Sequence, residues 1–366
     1  RNSLQILRFM AISKISEDLQ AFLDDWKSAS PYLEVQTSGS TGTPKRITVR
    51  KEQMVNSARL TCDYLGLQQR DKALLCMPLR YIAGKMMVVR SLVAGLDLVL
   101  REPSGHPMAD IDMPLRFAAM IPLQVYNTLQ VPEERERLCQ TDILIIGGGS
   151  IDRELEARIQ ELPIRVYSTY GMTETLSHIA LRRLNGPDAS PYYTPFPSVK
   201  LSLSTDNTLV IDAPLVADET FVTNDVAELL PDGRFRILGR KDNIINSGGI
   251  KIQTELVEEA LRPVIPANFA ITSVPDPKFG EVMVLLVTAG NDRFPGKETA
   301  SSLIEELPLP LPENSLFSEL KEKISETLPK YQRPKHILQV ETIPFTGSGK
   351  IDRAACRKLA TERYTG

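Results

Sequence analysis

The sequence is poor in the residues that staple or ligate. It holds four cysteines and three histidines in 366 residues. Cys62, Cys76, Cys139 and Cys356 lie far apart with no Cys-x-x-Cys spacing. That excludes a sequence-readable disulfide framework and reads as reduced, core-packed thiols of a cytoplasmic protein. His106, His178 and His336 do not cluster with them, so no zinc site is expected. No apolar run approaches the ~20 residues of a membrane-spanning helix. An excess of either charge is also missing. The 43 Lys and Arg against 46 Asp and Glu give a net charge of −3, so a basic face for nucleic acid is not expected. Residues 1–30 show no signal-peptide pattern, and the chain opens on Arg1 in place of Met, so a trimmed start is expected.

What remains is ordinary globular composition, 42% hydrophobic and 24% charged, at a length that allows two domains. One stretch stands out. Thr37 to Lys45 reads TSGSTGTPK, with Leu33 and Val35 alternating before it and Ile47 and Val49 after it. This predicts a strand, a small-residue loop and a strand. Gly39 and Gly42 permit backbone angles that let successive N–H groups curl around an anion. Thr37, Ser38, Ser40 and Thr41 add hydroxyl donors, and Lys45 adds a charge. The chemistry suggested is triphosphate binding; a plain Gly/Ser turn is the alternative. The spacing Gly39-x-x-Gly42-x-x-Lys45 is neither a Walker A nor a dinucleotide fingerprint.

Around this loop the pattern alternates. Ser16 can cap a helix that carries Leu19, Phe22, Leu23 and Trp26 on one face. A helix is predicted over 51–65, ending at Gly66. Strands at 73–77, 97–100, 117–121 and 142–146 interleave with helices near 84–94, 122–130 and 152–161, which argues for layered α/β structure. Short strands at 199–203, 208–211, 219–223 and 226–230, with a hairpin signal at Asp232-Gly233, predict a small β subdomain over 192–240. After Ile252, helices and strands mix. Thr254 can cap the helix TELVEEAL, EVMVLLVTA reads as a core strand, and Pro308, Pro310 and Pro312 read as a stiff linker. A helix near 315–328 and a strand through Ile337, Leu338 and Val340 follow.

Three further stretches carry chemistry. Pro78 to Gly84 reads PLRYIAG, and Arg80, Lys85 and Arg90 place three cations in and just after it, beside Tyr81. They are either solvated groups or the partners of an acidic substrate, since a carboxylate in a pocket needs a cation to offset its desolvation. Gly147 to Ser150 reads GGGS directly after a strand, where α/β folds bind ligands. Tyr170 to Thr175 reads YGMTET. Tyr170 offers a flat face for a purine, Gly171 allows close backbone approach, Thr173 supplies a hydroxyl, and Glu174 supplies a hard oxygen for Mg²⁺. A capped helix start at Thr173 or Thr175 fits the same residues.

In the order TSGSTGTPK, YGMTET, GRKD (Gly239–Asp242) and PFTGSGK (Pro344–Lys350), the chain resembles the adenylate-forming superfamily of acyl-CoA synthetases, luciferases and peptide-synthetase adenylation domains. The resemblance spans residues 37 to 350. It implies a large N-terminal layered α/β domain with mixed sheets and a small β subdomain (1–240), and a smaller mobile α+β domain (241–366), hinged at Lys241–Asp242. It implies that Gly148 and Gly149 lie beside the adenine, and that Tyr170, Gly171 and Met172 line the nucleotide. Thr173 and Glu174 would act on phosphate and Mg²⁺, Asp225 on the ribose, and Arg240 on ribose or phosphates. Gly248 and Gly249 would face the nucleotide in one arrangement and the coenzyme A channel in another. Lys350 would be the catalytic cation.

The family's Thr-Gly-Asp is here Thr223-Asn224-Asp225, and Arg80-Tyr81 stand where Phe-His is common. The superfamily's long segment before the phosphate loop corresponds to only 36 residues here, so a reduced front end is expected. The implied reaction joins a small-molecule acid to coenzyme A at the expense of ATP. YGMTET and the cationic PLRYIAGK are most similar to the branch acting on o-succinylbenzoate in menaquinone biosynthesis. Ligases for other aryl or fatty acids, and adenylation proteins loading a carrier, stay open.

Overall fold

The computed structural model describes residues 14–36, 46–149, 151, 153–288, 313–345 and 351–365. The phosphate-loop residues Thr37, Ser38, Gly39, Ser40, Thr41, Gly42 and Lys45 lie outside them. So do Lys350 and the three linker prolines. The chain divides into two compact units. The first is built from Arg1–Ser204, Leu209–Thr223 and Leu229–Arg236, the second from Thr205–Thr208, Asn224–Glu228 and Ile237–Gly366.

The first unit opens with helix α1 (Lys14–Lys27), then strands β1 (Tyr32–Gln36) and β2 (Arg46–Arg50), paired antiparallel from Tyr32↔Arg50 to Gln36↔Arg46. Ile15, Leu19 and Phe22 bury one face of α1. Ser16 lies inside this helix rather than capping it, because the helix already starts at Lys14. Helix α2 (Lys51–Leu65) buries Met54, Ala58, Thr61, Cys62 and Leu65 at helical spacing, and stops at Gly66 with φ 65°.

There follow β3 (Lys72–Leu75), α3 (Ile82–Ala94), β4 (Asp97–Leu100), β5 (Leu115–Met120), α4 (Pro122–Gln130), α5 (Pro132–Leu138), β6 (Thr141–Ile146), α6 (Arg153–Gln160), β7 (Arg165–Gly171), β8 (His178–Arg183) and β9 (Thr194–Pro195). Their strands form one sheet in the order β4-β3-β5-β6-β7-β8-β9. It is parallel from β4 to β7 and antiparallel beyond. The runs KALL, LRFAAM and TDILII are almost wholly buried, as parallel strands covered on both faces must be. Helix α5 was not legible. PEERERL has no apolar period and forms through its N-terminal Pro132, early Glu133 and Glu134, and late Arg135 and Arg137.

Strands β10 (Lys200–Leu203), β11 (Thr208–Asp212), β12 (Phe221–Leu229) and β13 (Phe235–Arg240) make a four-stranded sheet in that order. The two short strands expected at 219–223 and 226–230 are one strand. Asn224 and Asp225, which fall between those two spans, continue the strand, and their side chains bond Asp242 and Arg240.

In the second unit, β14 (Ile244–Ser247), β15 (Ile250–Gln253), α7 (Thr254–Leu261), β16 (Phe269–Asp276), β17 (Gly280–Thr288), α8 (Glu313–Thr327), β18 (His336–Val340) and α9 (Arg353–Thr365) surround a five-stranded sheet. Its central strand β17 alternates. Met283, Leu285 and Val287 pack with Val257, Leu261, Ile324 and Leu328, whereas Val282, Val284 and Leu286 pack with Cys356 and Ala360. Thr254 is the first residue of α7 and Gln253 holds the cap position, so the predicted threonine cap is displaced by one residue.

Candidate active site

Strands β3, β5, β6 and β7 run parallel, so their carboxyl ends meet at one edge. The chain passes from β3 outward to β4 and then crosses to β5 on the other side of β3. In such sheets, a reversal of strand order of this kind is where ligands bind. Three sequence-predicted segments arrive at this edge, PLRYIAG after β3, the glycines after β6 and YGMTET after β7, with Ile121-Pro122 after β5 alongside them. Gln36, the last described residue before TSGSTGTPK, bridges to Tyr81 and pairs with Arg46.

The glycine turn is shaped by its neighbours. A Cβ on Gly147 would lie 2.5 Å from Thr169 Oγ1, and one on Gly149 would lie 3.3 Å from Pro122 Cγ. Gly148 has φ 79°. The YGMTET segment is tighter. Gly171 ends β7 at a register shift, and a Cβ there would collide with the Ser177 carbonyl oxygen. Thr173–Thr175 form one 3-10 turn, followed by Leu176 at φ 66°, a left-handed conformation that a buried leucine takes only under constraint.

The two threonines divide the labour. Thr175 Oγ1 accepts from the Met172 N–H at 3.1 Å and lies 2.9 Å from the Ser177 carbonyl oxygen, so it clamps the turn. The Thr173 hydroxyl and Glu174 carboxylate make no hydrogen bond or ion pair among the described residues, and Glu174 is exposed. Tyr170 packs edge-on against Phe235 at 5.1 Å and is tilted against Tyr193 at 5.8 Å.

The three cations separate. Arg80 is exposed and lies over the Tyr81 ring at 4.8 Å. Lys85 is half-buried and donates to the Glu34 carbonyl at 2.8 Å; burial lowers its pKa. Arg90 is 2% exposed. Its Nη2 donates to Ser177 Oγ at 2.8 Å, its Nε has no partner, and no carboxylate pairs with it among the described residues. Burial pulls its pKa down to about 10, which leaves it charged at neutral pH. Ser177 was not legible as a site residue, since a serine after YGMTET carries no distinguishing signal.

In the second unit, Arg240 Nη1 is 3.3 Å from Asp225 and Nη2 is 3.1 Å from Asp242. Asn224, the departure from Thr-Gly-Asp, donates to Asp242 at 3.1 Å. Lys241 lies 2.6 Å from Asp206, a partner the sequence did not suggest. Gly248 and Gly249 turn β14 into β15 with φ 59° and 85°. The stems of the Lys350 segment are pinned by an antiparallel bridge, Phe345↔Ile351.

Residues 14–216 match the AMP-binding enzyme family. The chain is 27% identical over 353 residues to a probable 2-succinylbenzoate–CoA ligase of Mycobacterium tuberculosis, covering 90% of this chain and 85% of that one. It is 26% identical to the 2-succinylbenzoate–CoA ligase of Salmonella typhimurium, covering 95% and 73%. Among solved structures, an acyl-CoA synthetase (AMP-forming)/AMP-acid ligase II-like protein of Dyadobacter fermentans superposes with a TM-score of 0.62 at 30% identity, covering 97% and 95%. The o-succinylbenzoate CoA synthetase of Bacillus subtilis, solved with ATP and magnesium, shares the fold at a TM-score of 0.65 and 21% identity, covering 88% and 68%. With more than half its length matched by one family, this chain belongs to the AMP-binding enzymes.

Proposed function

We propose that the chain is an ATP-dependent acid–CoA ligase and that its acid is 2-succinylbenzoate. The substrate carboxylate attacks the α-phosphate of ATP, giving an acyl-adenylate and pyrophosphate. The coenzyme A thiolate then displaces AMP to form the thioester. The carboxylate is ionised at neutral pH, so no nucleophile needs activating. Positioning and charge neutralisation carry the first step. Thr37–Lys45 cradles the phosphates and Tyr170 lines the adenine with Gly148 and Gly149. Asp225 and Arg240 hold the ribose. Lys350 stabilises charge building between carboxylate and α-phosphate.

The carboxylate of Glu174, which like the Thr173 hydroxyl has no partner among the described residues, has the hard-oxygen chemistry that Mg²⁺ requires. A Mg²⁺ ion held by Glu174 would supply charge neutralisation to the phosphates. The second step follows a backbone change at Lys241–Asp242, between a functional domain of 1–240 and one of 241–366. Gly248 and Gly249 then face coenzyme A. The reading places the enzyme in the cytoplasm. Among the described residues, no helix is long and apolar enough to cross a membrane.

The observation that carries the dicarboxylate reading is Arg90. A buried guanidinium without a carboxylate is expensive, and among the described residues Arg90 bonds only to Ser177 Oγ, two residues past the Thr173–Thr175 turn, and weakly to Met87 Sδ at 3.6 Å. The second carboxylate of 2-succinylbenzoate supplies the missing charge. Arg80 is exposed and Lys85 is committed to a backbone carbonyl, so Arg90 ranks first among the three. Acid-dependent exchange of labelled pyrophosphate into ATP tests the reading, with 2-succinylbenzoate beside its analogue lacking the ring carboxylate. The dicarboxylate is expected to support faster exchange; equal exchange with both acids would overturn the assignment.

A further inference from the structure

His178 begins β8 and is 6% exposed, with the Phe196 ring 5.6 Å away. It stands in a chain of four contacts that links three elements. Arg90 Nη2 on α3 lies 2.8 Å from Ser177 Oγ. Ser177 Oγ lies 3.2 Å from His178 Nδ1. His178 Nε2 lies 3.0 Å from Thr61 Oγ1 on α2, and Thr61 Oγ1 lies 3.1 Å from the Ser57 carbonyl oxygen.

Counting polar hydrogens fixes the direction of this chain. With the proton on Nε2, each contact receives one hydrogen. Arg90 donates to Ser177, Ser177 to Nδ1, Nε2–H to Thr61, and Thr61 to Ser57. With the proton on Nδ1, the Ser177 hydrogen has no acceptor in the chain, and the Thr61 hydrogen must choose between Nε2 and Ser57. With both nitrogens protonated, two buried cations would share Ser177 Oγ. Burial first, and the Arg90 charge second, hold the imidazole well below its usual titration range.

We propose that His178 is a positioning residue, which as its Nε2–H tautomer orients the Ser177 hydroxyl so that Ser177 Oγ, two residues past the Thr173–Thr175 turn, holds the Arg90 guanidinium in place. The proposal rests on the reading of Arg90 as the partner of the substrate's second carboxylate. It extends that reading to residues that touch no substrate. Thr61 completes the device by fixing which nitrogen carries the proton.

Two measurements test it. The first is the ring ¹⁵N spectrum of the intact protein, simple because only three histidines contribute and assignable by loss of one set in His178→Phe. The expected signature is a protonated Nε2 and a bare Nδ1, unchanged from about pH 5.5 to 8. A protonated Nδ1, or an imidazolium at neutral pH, would overturn the proposal.

The second measurement is steady-state kinetics of His178→Phe and Arg90→Gln with 2-succinylbenzoate and the analogue lacking the ring carboxylate. His178→Phe is expected to raise KM for the dicarboxylate about tenfold, with KM for ATP and for the analogue within about twofold. Arg90→Gln is expected to abolish the preference between the acids. If Arg90→Gln abolishes it and His178→Phe leaves it intact, the positioning role is wrong and the Arg90 reading stands. If neither variant alters the preference, the Arg90 reading fails and takes the proposal with it.

Discussion

The Lys241 ammonium lies 2.6 Å from the Asp206 carboxylate, which sits in the turn between β10 and β11. Their hydrogen bond lowers the pKa of Asp206 and raises that of Lys241, so both are charged through neutral pH. Lys241 is also half of the proposed hinge. Asp206→Asn is therefore expected to release the hinge lysine and speed thioester formation from preformed adenylate by about two- to fivefold, with adenylation little changed. Salt above about 0.5 M should produce the same change in the unaltered protein, because an exposed pair is screened. Single-turnover rates of the two half-reactions check this; equal effects on both would remove the hinge from the explanation.

Gly171 has no room for a side chain. A Cβ there would collide with the Ser177 carbonyl oxygen and lie 2.5 Å from His178 Cα. Both contacts are backbone, so relief requires the Thr173–Thr175 turn to move. Gly171→Ala is expected to lower acid-dependent pyrophosphate exchange by about 10²-fold or more while the far-ultraviolet circular dichroism is retained. Exchange at the unaltered rate would mean that the turn's position is not critical.

Arg353 and Glu258 are 95 residues apart and joined by two hydrogen bonds, at 2.6 and 2.8 Å. Glu258 is 4% exposed and also accepts from the Ile271 N–H at 2.8 Å. Removing one member of such a pair leaves a buried charge. Arg353→Met is expected to destabilise the protein by about 3–5 kcal/mol, and Arg353→Met with Glu258→Leu to recover much of that loss. Urea unfolding of the two variants measures it. A double variant no more stable than the single one would assign the loss to packing.

Lys350→Ala separates the half-reactions. Adenylation is expected to fall on the order of 10²–10³-fold, while thioester formation from a supplied acyl-adenylate is spared. Equal loss in both would remove Lys350 from its assigned role.

Much of this site was legible because its chemistry is local. Thr173, Glu174 and Gly171 lie within four residues, and strand–glycine–helix patterns place such segments at a sheet edge without tertiary knowledge. The parallel strands were equally plain, since KALL and TDILII are apolar runs of strand length. Departures arise where tertiary bonds override local preference. Asn224 and Asp225 fall between two strands expected from sequence, yet they lie inside one strand of a four-stranded sheet. The cations could be listed from sequence but not ranked, because nothing local distinguishes the exposed Arg80 from the buried Arg90. Ser177, Thr61 and Asp206 acquire their roles only through partners distant in the chain.

The most direct test of the account is release of AMP from ATP that depends on both coenzyme A and an acid. It compares 2-succinylbenzoate with benzoate and a fatty acid. The account predicts AMP and the thioester with 2-succinylbenzoate, at a kcat/KM exceeding that for either other acid by more than about tenfold. Comparable rates with all three would contradict the dicarboxylate site, and no AMP with any acid from a protein that binds ATP would contradict the acid–CoA ligase itself.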